Sequence, residues 1–141
     1  MRSLRVLLVG LILLTWAASA QANWSSWQEY TTIEADNKPF ITLEVRTFYA
    51  NNYPPRAQWR ATNRSQQTLY CAEIGRQRYI LAHGHQVIGA PQGCRTMAPG
   101  ETAVYPNEVI GKKGQRITQM AMDVFSFDLE KGKNRQRVPL N

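Results

Sequence analysis

The feature that most constrains this chain is a hydrophobic alternation of period two that recurs along it, while a helical period of 3.6 hardly appears. Ile41, Leu43 and Val45 alternate with Thr42, Glu44 and Arg46. After Asn51-Asn52-Tyr53-Pro54-Pro55, a second run sets Ala57, Trp59 and Ala61 against Arg56, Gln58, Arg60, Thr62 and Arg64. Successive side chains of a strand point to opposite faces, so each run is a strand with one face on a core and one in water. Trp59, flanked by small residues on the apolar phase, is thereby predicted to anchor that core.

The remaining segments follow the same logic. Residues 68–74 and 78–82 read as two strands joined as a hairpin around Gly75-Arg76-Gln77. Gly84, Gly89, Pro91 and Gly93 then leave room for only a short strand at 86–88. Ala98-Pro99-Gly100-Glu101 is a turn, with Pro at its second position and Gly free to take positive φ at its third, and residues 102–105 follow as a strand. In the long run 116–129, Thr118, Met120, Met122 and Val124 hold one phase before Phe125, Phe127 and Leu129 take the other, the signature of a β-bulge. Lys131-Gly132-Lys133-Asn134 turns the chain into a basic last strand at 135–138. Trp24, Trp27 and Tyr30 are spaced as in a helical turn, but the segment around them reads equally as a strand and is taken as the first one.

Seven or eight short strands, with turn signals every 8 to 12 residues, predict an antiparallel sandwich, because a parallel sheet needs crossover helices. With Trp59-x-x-x-Asn63-x-Ser65 and the later Pro99-Gly100-Glu101, residues 39–129 resemble the immunoglobulin-like sandwich used by many exported bacterial domains. The resemblance implies an all-β, antiparallel immunoglobulin-like β-sandwich. In antibody domains the tryptophan lies between the two cysteines, whereas Trp59 precedes both here, and such an analogy carries no function.

Residues 1–22 read as a secretory signal. Arg2 and Arg5 precede an apolar run at 6–18 broken only by Gly10 and Thr15, and Ala20-Gln21-Ala22 supplies the small-x-small cleavage pattern. A run of that length is too short to span a bilayer core of about 30 Å as a helix. Residues 23–141 are then one exported domain, periplasmic if bacterial, with no stable membrane insertion after cleavage. In an oxidising compartment its two cysteines, Cys71 and Cys94, are expected to bond to each other. The domain keeps 15 of the 17 Lys and Arg and all 10 acidic residues, a scattered formal charge of +5. That balance favours an anionic envelope component or an acidic protein partner, and export argues against nucleic acid.

Arg56, Arg60 and Arg64 fall on one strand face at intervals of about 13 Å and form a candidate binding row. Arg76 with Arg78, and Arg135 with Arg137, repeat that arrangement. A competing reading is a metal site for copper or zinc. His83 and His85 project to one side of an extended backbone, and Met120 and Met122 supply soft thioethers at the same spacing. The bland alternative leaves the methionines in the core and the histidines on a wet loop. A small hydrolase is a weaker reading, since neither Ser65 nor Ser126 lies in a Gly-x-Ser-x-Gly elbow, and Asp123, Asp128 and Glu130 are split by phase or by a turn. Asn23-Trp-Ser and Asn63-Arg-Ser match the glycosylation sequon, and Asn63 reads first as a turn residue at a strand end. The expectation is a non-catalytic binding or assembly module that needs no cofactor, with the arginine row or the loop from His83 to Gly93 as its contact surface.

Overall fold

The computed structural model describes residues 4–6, 12–13 and 23–140, so the Ala20-Gln21-Ala22 pattern and most of the apolar run at 6–18 lie outside the described residues. The strands in chain order begin with β1 (Leu4–Val6), β2 (Ile12–Leu13), β3 (Asn23–Trp24), β4 (Gln28–Ala35) and β5 (Lys38–Tyr49). They continue with β6 (Arg56–Asn63), β7 (Leu69–Ile74), β8 (Gln77–Leu81), β9 (Gln86–Gly89) and β10 (Gln92–Met97). The last five are β11 (Thr102–Val104), β12 (Glu108–Val109), β13 (Ile117–Met122), β14 (Val124–Glu130) and β15 (Lys133–Pro139). No described residue is helical, and no helix is long and apolar enough to cross a membrane.

All pairings are antiparallel and make two facing layers. The first has the order β1-β4-β5-β6-β11, with β3 also on β5 and β12 also on β6. The second is built from β10-β7-β14-β15 and β2-β13-β8-β9. These two parts are continuous, because β7 runs on into β8 beside β13 running on into β14. The Gly75 N–H donates to the Val124 carbonyl at 2.8 Å and the Asp123 N–H to the Arg76 carbonyl at 3.0 Å.

This continuity corrects the expected hairpin at Gly75-Arg76-Gln77. The chain does not turn there; β7 and β8 are one strand with a kink. Gly75 is required for close approach, since a Cβ at that position would lie 2.5 Å from Val124 Cγ1 and 2.6 Å from its carbonyl oxygen. The true hairpin is one turn later, at Ala82 to His85, where the Leu81 N–H donates to the His85 carbonyl at 2.8 Å. Beyond it the glycines leave room for more than the short strand at 86–88 that the sequence predicts, and residues 92–97 form a further strand, β10.

A phase shift is present in 116–129, but it falls at Asp123, between inward Met120 and Met122 and inward Phe125 and Phe127, so Val124 is not the last inward residue of the first phase as the alternation predicts. A second irregularity between Ile117 and Gln119 puts Ile117, not Thr118, into the core. At Ala98-Pro99-Gly100-Glu101 the Glu101 N–H donates to the Ala98 carbonyl at 3.0 Å and Gly100 has φ of 82°, a type II turn as composed.

Tyrosines stitch the layers together. Trp59 Nε1 donates to the Tyr79 hydroxyl at 2.8 Å, Tyr105 donates to the Ala72 carbonyl at 2.8 Å, and Tyr30 packs edge-on against Trp59 at 5.2 Å. Burial pushes the phenols of Tyr30, Tyr49, Tyr79 and Tyr105 above their ordinary value of 10.0. These groups stay neutral in the fold while the unfolded chain releases its protons near pH 10, so their contribution is whole below about pH 10 and is lost as pH rises above it. Guanidinium midpoints are therefore expected to fall between about pH 8 and about pH 11, with phenolate absorbance rising only as the protein unfolds. An unchanged midpoint with early phenolate absorbance would contradict this.

Candidate functional site

On the outer face of the first layer, Arg56, Arg60 and Arg64 project away from the buried Ala57, Trp59 and Ala61, as the alternation requires. Each is engaged by a neighbour. Arg56 donates to Asn107 Oδ1 at 2.7 Å, Arg60 pairs with Glu44 at 2.8 Å, and Arg64 donates to the Thr42 hydroxyl at 3.3 Å.

Residues 23–27 fold over this face. Arg46 lies between Trp24 and Trp27, 4.4 Å from each ring centroid, and Arg60 stacks on Trp27 at 4.3 Å. The result is a Trp-Arg-Trp-Arg stack whose cation–π contacts each contribute about 0.5–1 kcal/mol at such partly exposed sites. The sequence reading missed it. Its signal was two tryptophans three apart beside a strand face already known to be arginine-rich.

The outer face of the second layer carries a less occupied charge cluster. A groove of about 370 Å³ is lined by Glu73, Gly75, Arg76, Asp123, Arg135 and Arg137 among others. Arg135 binds Glu73 at 2.6 Å and Asp128 at 3.1 Å, and also donates to the Cys71 carbonyl at 2.9 Å. Asp123 takes both Arg76 at 2.9 Å and Arg78 at 3.0 Å. The Arg137 side chain, by contrast, makes no hydrogen bond or ion pair among the described residues. Three guanidinium groups, of Arg76, Arg135 and Arg137, thus line the groove against two carboxylates, of Glu73 and Asp123, and the Arg76 side chain is 59% exposed.

The disulfide Cys71–Cys94 forms, with Cα atoms 4.3 Å apart. It joins adjacent strands β7 and β10 within one layer, unlike the bridge between layers of antibody domains. Cys71, Glu73 and Cys94 bring three ligand atoms within 4.8 Å of one another, but both sulfurs are consumed by the bond.

His83 and His85 stand exposed on the β8–β9 turn, beside an open depression of about 570 Å³ that Lys112 also lines. Neither imidazole makes a hydrogen bond or ion pair among the described residues. Met120 and Met122 lie in the core at 1% and 0% exposure, so the fold separates the thioethers from the histidines. Ser65 gives its hydroxyl to Asn63 Oδ1 at 2.6 Å and is a turn residue; Ser126 is buried on β14. No histidine is hydrogen-bonded to either. The chain matches no family model, no curated protein and no solved structure.

Proposed function

We propose that this protein is an exported, non-catalytic binding module with an immunoglobulin-like sandwich, meeting an anionic component of the cell envelope through the groove at Arg76, Arg135 and Arg137. The strand order supports the fold reading. With β4 set aside as an added edge strand, β5-β6-β11 form one layer and β9/β10, β7/β8, β13/β14 and β15 the other. Crossings at β6 to β7, β10 to β11 and β11 to β13 give the Greek-key order of that class. The disulfide and the leader-like residues 1–22 support export.

The single observation that carries the function is Arg137, a guanidinium with no partner among the described residues, in a groove where the carboxylates are already satisfied. A phosphate or carboxylate there accepts paired donors from a planar fork without displacing an existing ion pair. Vesicles of an anionic phospholipid are expected to retain the protein at about 50 mM salt and to release most of it by about 300 mM, because exposed contacts are screened over about 8 Å or less. Arg76→Ser with Arg137→Ser should weaken retention several-fold while leaving the melting curve in place. Equal retention of that variant, or equal binding to zwitterionic vesicles, would overturn the assignment.

A further inference from the structure

Each layer ends in a strand whose outer edge meets no strand of the domain from residue 23 onward: β4 in the first, β13 in the second. These edges lie side by side along one seam, since the Met122 N–H on β13 donates to the Tyr30 hydroxyl on β4 at 3.2 Å. At the other end of β13 the Tyr49 hydroxyl accepts from the Ile117 N–H at 3.1 Å and donates to the Ile117 carbonyl at 3.2 Å. Two phenols therefore close the ends of the β13 edge and leave its middle open.

The middle is filled by the chain's own leader. Leu13 and Ile12 pair with Gln119 and Met120 of β13, while Leu4, Arg5 and Val6 pair with Ala35, Glu34 and Ile33 of β4. Leu4 packs against the core, and Arg5 stands in water with Nη1 donating to Asn37 Oδ1 at 3.5 Å. Two short extended pieces, Leu4–Val6 with Leu4 inward and Arg5 outward, and Ile12–Leu13, thus pair with the two edges. Removal of residues 1–22 opens two unpaired edges over an apolar seam, an arrangement that receives added strands through main-chain hydrogen bonds and alternate side-chain pockets.

We propose that this seam is a strand-acceptor site. Once the leader has left, it takes an extended segment of a partner protein, apolar at alternate positions as Leu4-Arg5-Val6 is, against residues 33–35 of β4 and 119–120 of β13. The site is separate from the arginine groove and rests only on the export reading, which N-terminal sequencing of the exported chain tests by itself.

The probe is a synthetic peptide of residues 2–14, added to the exported, processed chain and followed by amide hydrogen exchange. In the full chain, amides of 33–35 and 119–120 on the open edges should exchange slowly; after processing they should exchange about tenfold faster or more, and the peptide should restore the slow rate. A peptide carrying Leu4→Asp and a shuffled peptide of the same composition should both fail to do so. Slow exchange in the processed chain without peptide, no slowing with it, or equal slowing by the shuffled peptide would each overturn the acceptor site. A mature chain that still begins at Met1 would sink the export reading and the acceptor site with it.

Discussion

Replacing Trp59 by alanine is expected to lower the unfolding free energy by about 3 to 5 kcal/mol, enough to leave a domain of this size largely unfolded. The side chain is 1% exposed and sits where the two layers meet. It forms the edge-on contact with Tyr30 and donates its indole N–H to the Tyr79 hydroxyl, which is itself fully buried. Truncation therefore opens a cavity the size of an indole and also removes the only donor that this buried oxygen has among the described residues, so the two costs add. Trp59→Phe separates them. It keeps most of the packing and loses the hydrogen bond, and should cost about 1 to 3 kcal/mol. Denaturant midpoints at unchanged slope measure both. A Trp59→Ala protein that melts within a few degrees of the wild type would mean that the layers close without the indole.

The alternation in β5 and β6 was legible because one face of each strand is buried and the other is not, so period two survives in the residues themselves. The second layer was harder to read. Its kink at Gly75 is enforced by the approach of Val124 from a strand almost fifty residues away, and a local reading can only see a glycine and infer a turn. Residues 92–97 escaped for a related reason: β10 is an edge strand with only Met97 buried, so no apolar phase marks it.

The candidate sites divide along the same line. The arginine row along and just past β6 finds its partners on β5, on residues 23–27 and at Asn107, and no spacing rule announces a cation–π stack between separate segments. Arg76 and Arg137 are brought to one groove only by the pairing of β14 with both β7 and β15. Ion pairing then decides what each guanidinium has left to offer a ligand: Arg60 is held by Glu44, whereas Arg137 is held by nothing among the described residues.

Asn63→Ala is expected to cost about 3 to 4 kcal/mol, more than its appearance as a turn asparagine suggests. The residue is fully buried. Its Oδ1 accepts from the Ser65 N–H at 2.9 Å and the Ser65 hydroxyl at 2.6 Å, while Nδ2 donates to the carbonyls of Gln67 at 2.8 Å and Met97 at 2.9 Å. Its backbone meanwhile binds Glu101 and Gly100, so one side chain fastens the turn after β6, the end of β10 and the type II turn to a single point. Alanine leaves the Met97 carbonyl and the Ser65 N–H buried without these partners, and each such group costs about 1 to 3 kcal/mol before the turn relaxes. The same burial takes this asparagine out of reach of glycosylation, in contrast to the exposed Asn23. Asn63→Asp provides the sharper comparison: it keeps the acceptor for Ser65 but sets a carboxylate oxygen against two carbonyls. At neutral pH it should be at least as destabilising as alanine, whereas Ser65→Ala should cost only about 1 kcal/mol. Urea unfolding of the three variants decides the matter, and an Asn63→Ala loss of under about 1 kcal/mol would show that water replaces the amide at this junction.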